Sequence, residues 1–253
     1  MFDPATIFGI IIGLGGILVG NFLDGGHAGS LFQGTAALIV FGGTFGATLV
    51  SNTFSDIKKA IAMLPVAFRE GSETQMKQLA AEVVAIAQLA RRESILVVET
   101  KLNSFTNPFM KNVFRYMIDG IEPDTLRKIF EKEIEVTEKR TMVAAKVWSD
   151  AGGYAPTIGI IGAVLGLIHV MANLSDTSQL GRGIAVAFVA TIYGVGSANL
   201  LFIPLAHKIR SRIKAQSDIK KMILEGAIAI SSGLNPYIIE EKMRAFTGDK
   251  SKD

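Results

Sequence analysis

The side chains that could do chemistry in this chain are few and far apart. The sequence has no cysteine and three histidines, which are His27, His169 and His207. These histidines lack the close spacing of a metal site, and Gly13 to Gly16 fall inside an apolar run instead of the strand-to-helix turn that binds phosphate. The sequence therefore predicts no catalytic residue, no metal site and no cofactor, and we do not expect an enzyme.

Two polar side chains within the apolar runs, His169 and Thr191, are candidates for a functional role. His169 is ionisable, and such residues in a membrane span are functional candidates by default, but the position of His169 towards the outer end, where the imidazole can reach interfacial water, favours a role without special function. Thr191 lies near the middle of its run, and Ala163 has a similar depth in the preceding one, seven residues after Pro156 and nearly on the same stripe. Thr191 and Ala163 could face one lumen, although mid-span threonines commonly bond a carbonyl of their own helix.

Pro156 and Pro204 lie near the ends of these two runs. A proline within a helix leaves a carbonyl without its donor and softens the helix, so both residues are candidate hinges. The simpler interpretation is that Pro156 starts one span and Pro204 ends another.

Charged residues in the intervening polar segment form a candidate contact surface. Arg91, Arg92 and Glu99 are about two helical turns apart, and their charges would lie on neighbouring strips that a charged partner could meet. The default interpretation is that they are solvated helix charges.

The elements that position these residues are four apolar runs without an acidic residue. They extend over about 5–23, 31–52, 154–174 and 183–206, and about 20 residues suffice to cross a hydrocarbon core of about 30 Å. Short turns join the runs in pairs. The sequence therefore predicts an all-α, polytopic membrane protein with four transmembrane helices in two hairpins and a helical cytoplasmic insert.

The distribution of basic residues predicts the orientation. Every Lys and Arg except Arg182 lies between the second and third runs or after the fourth, so the positive-inside rule places both turns outside and both termini in the cytoplasm. The predicted domains are a hairpin at 1–52, a cytoplasmic domain at 53–153, a second hairpin at 154–206 and a cytoplasmic tail at 207–253. The small net charge of +3 gives no support for nucleic-acid binding.

Helix-start signals occur twice in the predicted insert. Ser72 to Gln75 has the pattern of a capping box, followed by an apolar face that includes Leu79, Val83 and Ile86. Pro123, after Glu122, starts a second helix that we expect to run into the third span. In the spans, glycine pairs four residues apart, at 9/13, 16/20, 42/46 and 162/166, predict close helix contacts.

On these residues the chain resembles the flagellar motor stator A-subunit family, MotA and its sodium-driven relative PomA. The resemblance covers essentially the whole chain. It rests on the two-plus-two layout of spans around an insert, on the segment APTIGIIGAVLG that begins at Ala155, and on ATIYG from Ala190, followed by Asn199 and Pro204.

The resemblance implies a machine in the bacterial inner membrane. In that family, a ring of five A-subunits surrounds two MotB-like B-subunits, each with one span whose aspartate takes up and releases the ion. The assembly converts ion motive force into torque on the rotor switch protein FliG. The acid that these four spans lack would come from the partner, and membrane lipid would surround the ring.

Family motifs also imply roles for individual residues. Pro156 resembles the third-span proline near the partner's aspartate, and Thr191 resembles the threonine of the ion path. Phe188, Tyr193 and Ala163 are predicted to line that path with them. Pro204 resembles the proline linked to conformational change, with Pro156 as a second hinge, while the rotor contact is assigned to Arg91, Arg92 and Glu99.

Two departures from the family pattern bear on the ion. Sodium-type members usually carry a hydroxyl residue where this chain has Ala163, and often a second threonine where it has Ala190. A hydroxyl oxygen can replace part of the hydration shell of sodium, whereas a proton moving through water needs no such cage. We therefore expect protons, with sodium as the alternative.

Two other functions remain open at this stage. A relative of ExbB and TolQ would energise outer-membrane transport, but that family usually has one span before its large insert, where this chain has two. A non-conducting membrane scaffold would use the spans only as anchors, which leaves the Pro156 and Thr191 motifs unexplained.

Overall fold

The computed structural model describes residues 3–69, 71–172, 174 and 177–248. These residues form helices and turns, and no β-strand occurs among them. The described residues fall into two compact units. The membrane unit comprises those of 1–70 and 141–211, and the insert unit comprises those of 71–140 and 212–253.

The membrane unit begins with a hairpin. Helix α1 spans Pro4–Leu23, with Asp3 as its N-cap and proline in its first turn, an arrangement that satisfies an otherwise unpaired backbone N–H. A short 3₁₀ turn at Ala28–Leu31 leads to α2, Gly34–Ser51. Helix α2 contains a wide π-helical turn at Leu38–Gly42.

Two shorter helices follow the hairpin. Helix α3 spans Phe54–Ala62, where the Thr53 hydroxyl accepts a hydrogen bond from the Asp56 N–H, and α4 spans Leu64–Ala67.

The insert unit starts with α5, Glu73–Arg92. Helix α6, Val97–Lys101, and a 3₁₀ turn at Leu102–Ser104 lead to α7, Pro108–Ile118.

Two long helical segments contribute to both units. Helix α8 runs over the 50 residues Pro123–Ala172, which confirms that a helix starts at Pro123 and continues into the third span. Helix α9, Thr177–Ser197, passes through a π-helical turn at Ala198–Phe202 into α10, Ile203–Ser231. The last helix, α11, is Pro236–Thr247.

The structure confirms the predicted fold class. Within the described residues, four helical segments are long and apolar enough to cross a membrane: Pro4–Leu23, Gly34–Ser51, Pro123–Ala172 and Leu180–Ser231. The division into hairpins at 1–52 and 154–206, an insert at 53–153 and a tail at 207–253 stays a prediction.

The core of the insert unit combines the insert with the end of the chain. Phe114 and Leu126 of α7 and α8 are buried together with Met222 of α10 and Met243 of α11. On α5, the predicted residues Leu79, Val83 and Ile86 are also buried in this cluster. The segment that the sequence presented only as a tail is therefore part of the hydrophobic core.

The predicted capping box at the start of α5 does not form. Ser72 occupies the N-cap position, but its side chain makes no cap hydrogen bond. The Gln75 side chain instead accepts a hydrogen bond from the amide of Gln216, at 3.2 Å. The helix starts where the sequence predicted, but the pattern gave the wrong side-chain contacts.

Candidate functional site

Helices α8 and α9 meet along a seam of small residues in the membrane unit. A Cβ atom at Gly159 would lie 2.9 Å from the carbonyl oxygen of Ala190 and 3.1 Å from the Cα of Gly194. A Cβ atom at Gly166 would lie 2.8 Å from the carbonyl oxygen of Gly183. Only glycine permits this backbone approach, and the order of the contacts shows that the helices are antiparallel.

The four predicted glycine pairs differ in how closely other residues pack against them. Gly162 and Gly166 are both in the seam, where any Cβ would come within 3 Å of another residue. Gly13 approaches Leu200, but the structure as described shows no atom within 4 Å of a Cβ at the other members, which are Gly9, Gly16, Gly20, Gly42 and Gly46. Within this chain the prediction of close packing is confirmed for the 162/166 pair and for Gly13.

Four of the predicted site residues share one side of the α8–α9 hairpin. Each of Pro156, Ala163, Phe188 and Thr191 directly follows a residue of the seam, so each lies about 100° further round its helix. Because the helices run in opposite directions, the residue after a seam residue points to the same side on both. We call this side the open face.

The open face is apolar and exposed in the isolated chain. Phe188 is 69% exposed and Ile160 is 59% exposed, and both follow a seam residue. Thr191 is half-buried, and its hydroxyl donates to the carbonyl oxygen of Ala187 at 3.1 Å. The open face thus presents one hydroxyl among apolar side chains, and none of the four apolar runs, at about 5–23, 31–52, 154–174 and 183–206, contains an acidic residue.

Tyr193 lies on the opposite side, away from Thr191. It precedes a seam residue, and its hydroxyl donates to the carbonyl oxygen of Leu31 at 2.5 Å and accepts from the Gln33 N–H at 3.3 Å. Its ring stacks on Phe41 of α2, with centroids 5.8 Å apart. The structure therefore does not bring Tyr193 together with the other predicted path residues.

Helix α2 covers the side that holds Tyr193. Ala36 and Val40 are fully buried against Val189 and Ala190 of α9, and a Cβ at Gly43 would lie 2.7 Å from Ile158 of α8. Thr44 and Thr48 continue this buried stripe. The Thr48 hydroxyl donates to the Thr44 carbonyl oxygen, whereas that of Thr44 has no partner in the described part of the chain.

Both prolines lie within continuous helical segments. Pro156 is inside α8, and Pro204 follows the π-helical turn that joins α9 to α10. Neither proline therefore starts or ends a helical segment, while the simpler interpretation, in which Pro156 starts one span and Pro204 ends another, stays a prediction. Neither proline has a backbone N–H, so each leaves a weak point in its helix.

The π-helical turn accommodates Pro204. The Ile203 N–H donates to the carbonyl oxygen of Ala198, five residues back instead of four, which widens the turn where the proline ring would otherwise press on a carbonyl. The Asn199 side chain donates to the Val195 carbonyl oxygen at 2.9 Å. On the other side, Gly152 leaves room for Ile203, which would lie 2.6 Å from any Cβ at that glycine.

The three predicted rotor-contact residues are exposed but do not share a helix. Arg91 and Arg92 form the end of α5, and Glu99 lies on the short helix α6. The break at 93–96 between these helices means that the spacing of two helical turns, which assumed one helix, was wrong. The charges lie at the end of one helix and in the next.

Several charged contacts were missed by the sequence analysis. Asp3 pairs with Lys208 in the membrane unit, and this hydrogen bond lowers the pKa of the Asp3 carboxyl. In the insert unit, Glu225 bonds to Arg127 and, at 3.1 Å, to Lys242. The Arg127 hydrogen bond, followed by that of Lys242, lowers the pKa of Glu225. Only the N-cap pattern of Asp3 before Pro4 gave a sequence signal.

Metal ligation has no support in the described residues, which contain no group of three His, Cys, Asp or Glu side chains that could hold an ion. His169 is exposed near the end of α8, and its position at the outer end of a span stays a prediction.

Two family models match the chain. Residues 7–94 match the model described as motility protein A N-terminal, and residues 101–222 match the MotA/TolQ/ExbB proton channel family. Motility protein A of Bacillus subtilis (strain 168) is 32% identical over 250 residues, which cover 99% of this chain and 93% of that protein.

Solved structures show the same fold. A chain of the structure of C. jejuni MotAB superposes with a TM-score of 0.90 at 28% identity, covering 99% of this chain and 97% of that one. The flagellar MotAB stator complex from Bacillus subtilis gives a TM-score of 0.87 at 32% identity, with 95% and 94% covered.

Proposed function

This chain belongs to the motility protein A family, and we propose that it conducts protons with a MotB-like partner as a flagellar motor stator subunit, converting the ion motive force into torque. The observation that carries the proposal is the open face of α8 and α9. It combines exposed apolar side chains, the hydroxyl of Thr191 and the proline Pro156, but it has no group that can bind and release a proton.

The missing group would come from a single span of the partner. An isolated carboxylate in hydrocarbon is costly, so an aspartate on a partner helix gains by facing a polar residue of a protein wall. The Thr191 oxygen can accept a hydrogen bond from the protonated form of that carboxyl group even while the Thr191 hydroxyl donates to the carbonyl oxygen of Ala187. Exposed residues such as Phe188 and Ile160 would pack against the apolar remainder of the partner span.

Protons are favoured over sodium by the composition of the open face. Ala163 contributes no oxygen there, and Thr191 contributes a single hydroxyl. A dehydrated sodium ion needs several oxygen ligands, whereas a proton can move through water to a carboxylate.

We propose the assembly and orientation that the family resemblance implied. Five copies would surround two partner spans in the bacterial inner membrane, with both termini in the cytoplasm. The relatives of known structure are MotAB complexes, which supports the partner. Arg91, Arg92 and Glu99 would then meet charges of the rotor protein FliG.

Movement would follow from titration of the partner's carboxylate. Proton binding removes a charge at the open face and proton release restores it, so the favoured position of the A-ring alternates. A membrane potential supplies about 2.3 kcal/mol per charge for each 100 mV. Pro156 and Pro204, as the weak points of α8 and of the α9–α10 segment, are the proposed hinges.

Ion choice can be tested by co-expressing the chain with its B-partner in a strain that lacks stators. We expect swimming that requires the partner, persists without sodium and stops when the proton gradient is collapsed. Rotation that depends on sodium would overturn the choice of protons. Swimming without any B-partner would overturn the proposed complex.

The role of Thr191 can be separated from its packing with a matched pair of variants. Thr191→Val removes the hydroxyl at nearly constant shape and should lower motor torque several-fold. Thr157→Val is the control, because the Thr157 hydroxyl also donates to a carbonyl of its own helix, that of Tyr154 at 2.8 Å. Equal torque in the two variants would argue against an ion path at Thr191.

The rotor contact can be tested by charge reversal. Arg91→Glu combined with Glu99→Lys should abolish swimming while the complex still assembles, and complementary reversals in FliG should restore it. Arg115→Glu, at an exposed position in the last turn of α7, serves as the control. Normal motility of the double variant would remove these residues from the proposed interface.

A further inference from the structure

A crevice separates α1 from the π-helical turn and the start of α10 in the membrane unit. It encloses about 330 Å³, a volume at the small end of ligand pockets. Gly9 and Ile10 line one wall, Leu200 and Pro204 line the other, and Lys208 lies at one end. The function proposed above gives this crevice no occupant.

Two glycines one turn apart explain why the crevice exists. At Gly13, a Cβ would lie 3.1 Å from Leu200 Cδ2, so α1 is in contact with the π-helical turn at that point. At Gly9, by contrast, a Cβ would have no atom within 4 Å in the described structure. Atoms that line such a gap lose dispersion contacts. In a bilayer, the acyl chain of a lipid can fill the gap and restore these contacts.

A pair of opposite charges lies at the mouth of the crevice. Lys208 pairs with Asp3, and the Lys208 side chain retains 32% of its exposure. Asp3 is held in place, because its N–H donates to the Phe68 carbonyl oxygen at 2.8 Å and its carboxylate accepts from the Ala5 N–H at 3.1 Å. The ammonium group of Lys208, which lines the crevice, is therefore held beside a fixed carboxylate whose side chain is 12% exposed.

Apolar packing alone cannot select a particular lipid, because lipid tails are as apolar as the crevice walls. Selection must come from the headgroup. We propose that the crevice binds one phospholipid with a primary-amine headgroup, whose chain lies between Gly9 and Pro204, whose phosphate meets Lys208 and whose ammonium meets Asp3. This inference rests on the membrane orientation proposed above.

Other headgroups match the charge pair less well. A purely anionic headgroup offers nothing to Asp3 and repels its carboxylate. A quaternary ammonium has no N–H to donate to a carboxylate. A primary amine with a phosphate satisfies both partners, and the bound chain would contact Pro204, one of the two proposed hinges.

Lipid retention tests the proposal directly. The full chain and its B-subunit would be purified in mild detergent from membranes that contain phosphatidylethanolamine and anionic lipids, and retained lipids would be counted by native mass spectrometry. Gly9→Leu fills the crevice and should reduce retained phosphatidylethanolamine at least fivefold. Gly15→Leu is the control, since Gly15 is also on α1, does not line the crevice and has open space in the described structure.

The headgroup assignment has its own test. Asp3→Asn keeps a side chain that can cap α1 but removes the negative charge. The ratio of retained phosphatidylethanolamine to phosphatidylglycerol should fall several-fold relative to the unaltered complex. An unchanged ratio, or a preference for phosphatidylglycerol before the substitution, would overturn the headgroup chemistry.

Two further results would overturn the site. One is equal retention of phosphatidylethanolamine by the Gly9→Leu and Gly15→Leu complexes. The other is a disulfide between two copies of Gly9→Cys, because the chain has no cysteine of its own and such a bond would show a second copy covering the crevice. Retention is measured without motility, so it can fail while the stator function stands, and swimming can fail while retention stands.

Discussion

The contacts inside the insert unit differ in kind from those inside the membrane unit. In the insert unit, large side chains such as Phe114, Met110 and Leu126 are fully buried. In the α8–α9 seam of the membrane unit, backbone meets backbone at Gly159 and Gly194. Apolar burial from water stabilises the first arrangement, but it does not drive helices together in lipid, where close packing must do so.

This difference predicts which substitutions each unit tolerates. The insert unit should be sensitive to the removal of volume, and the membrane unit should be sensitive to its addition. Polar groups should also behave differently, since those of the insert unit are near water and those of the spans are not.

The largest expected effect is the loss of a buried aromatic ring. Phe114→Ala should destabilise the insert unit by about 3–5 kcal/mol, because Phe114 is fully buried and packs edge-on against Phe105 with centroids 5.5 Å apart. Hydrogen exchange of α7 in the purified complex would measure the loss. Tyr116→Ala, on the same helix but 41% exposed, should cost clearly less, and equal losses would contradict the assigned core.

A single added methyl group should be the next most damaging change. Gly194→Ala places a Cβ 2.6 Å from the carbonyl oxygen of Ala155, and overpacking of this kind costs about 1–3 kcal/mol. Faster hydrogen exchange along α9 and poor assembly would report it. Gly196→Ala is the matched control, because no atom of the described chain lies within 4 Å of its Cβ; similar damage from both would mean that the seam is not tight.

A pH effect of about 1 kcal/mol is expected from Glu225 in the insert unit. The pKa of Glu225 is lowered from 4.5 in the folded state, chiefly by the hydrogen bond from Arg127. A carboxyl group whose pKa is lowered by folding stabilises the fold at pH values above its unfolded pKa of about 4.5. This stabilisation is lost as the pH falls from that value through the lower pKa of the folded state.

Thermal unfolding of the complex between pH 7 and pH 3 would test the effect of Glu225. Glu225→Gln should lower the melting temperature at pH 7 and flatten its fall in acid. Glu131→Gln, which removes a more exposed partner of Arg127 at 3.3 Å, should do less. A Glu225→Gln complex with an unchanged acid profile would rule out this contribution.

The smallest expected effect has the opposite sign. Thr44→Val replaces a fully buried hydroxyl that has no partner among the described residues, and removing such a group should stabilise α2 by up to about 1 kcal/mol. Thr48→Val instead removes a 2.7 Å hydrogen bond to the Thr44 carbonyl. Slower exchange in the first variant and unchanged or faster exchange in the second are expected. The reverse order would show that Thr44 has a partner in the membrane.

Sequence reasoning found the spans and the helix starts because these depend on local signals. Charge-free runs, the residues around Ser72, and Pro123 act within one or two turns. Glycine spacing could not distinguish Gly16/Gly20 from Gly162/Gly166, since the spacing is the same and only the neighbouring helix differs. The prediction that Arg91 and Glu99 lie two turns apart on one helix was wrong, because no proline or glycine marks the break between α5 and α6.

The sequence alone could not predict which side of the α8–α9 hairpin a residue faces. That assignment requires the position of the seam, which only the structure shows. Thr191 and Tyr193 are two residues apart and were assigned to one path, yet they fall on opposite sides of the hairpin. The burial of the C-terminal segment was equally beyond local reasoning, because it depends on α7 and α8, which are distant in sequence.

The two π-helical turns have a consequence for sequence length. A π-helical turn holds one residue more than an α-helix would at the same place, so it is what a single-residue insertion leaves behind. Deleting one residue within Leu38–Gly42 would restore a regular helix without rotating Thr44 relative to Ala36. Relatives one residue shorter in this stretch would therefore keep the same buried stripe, and an alignment gap there would be a structural equivalence.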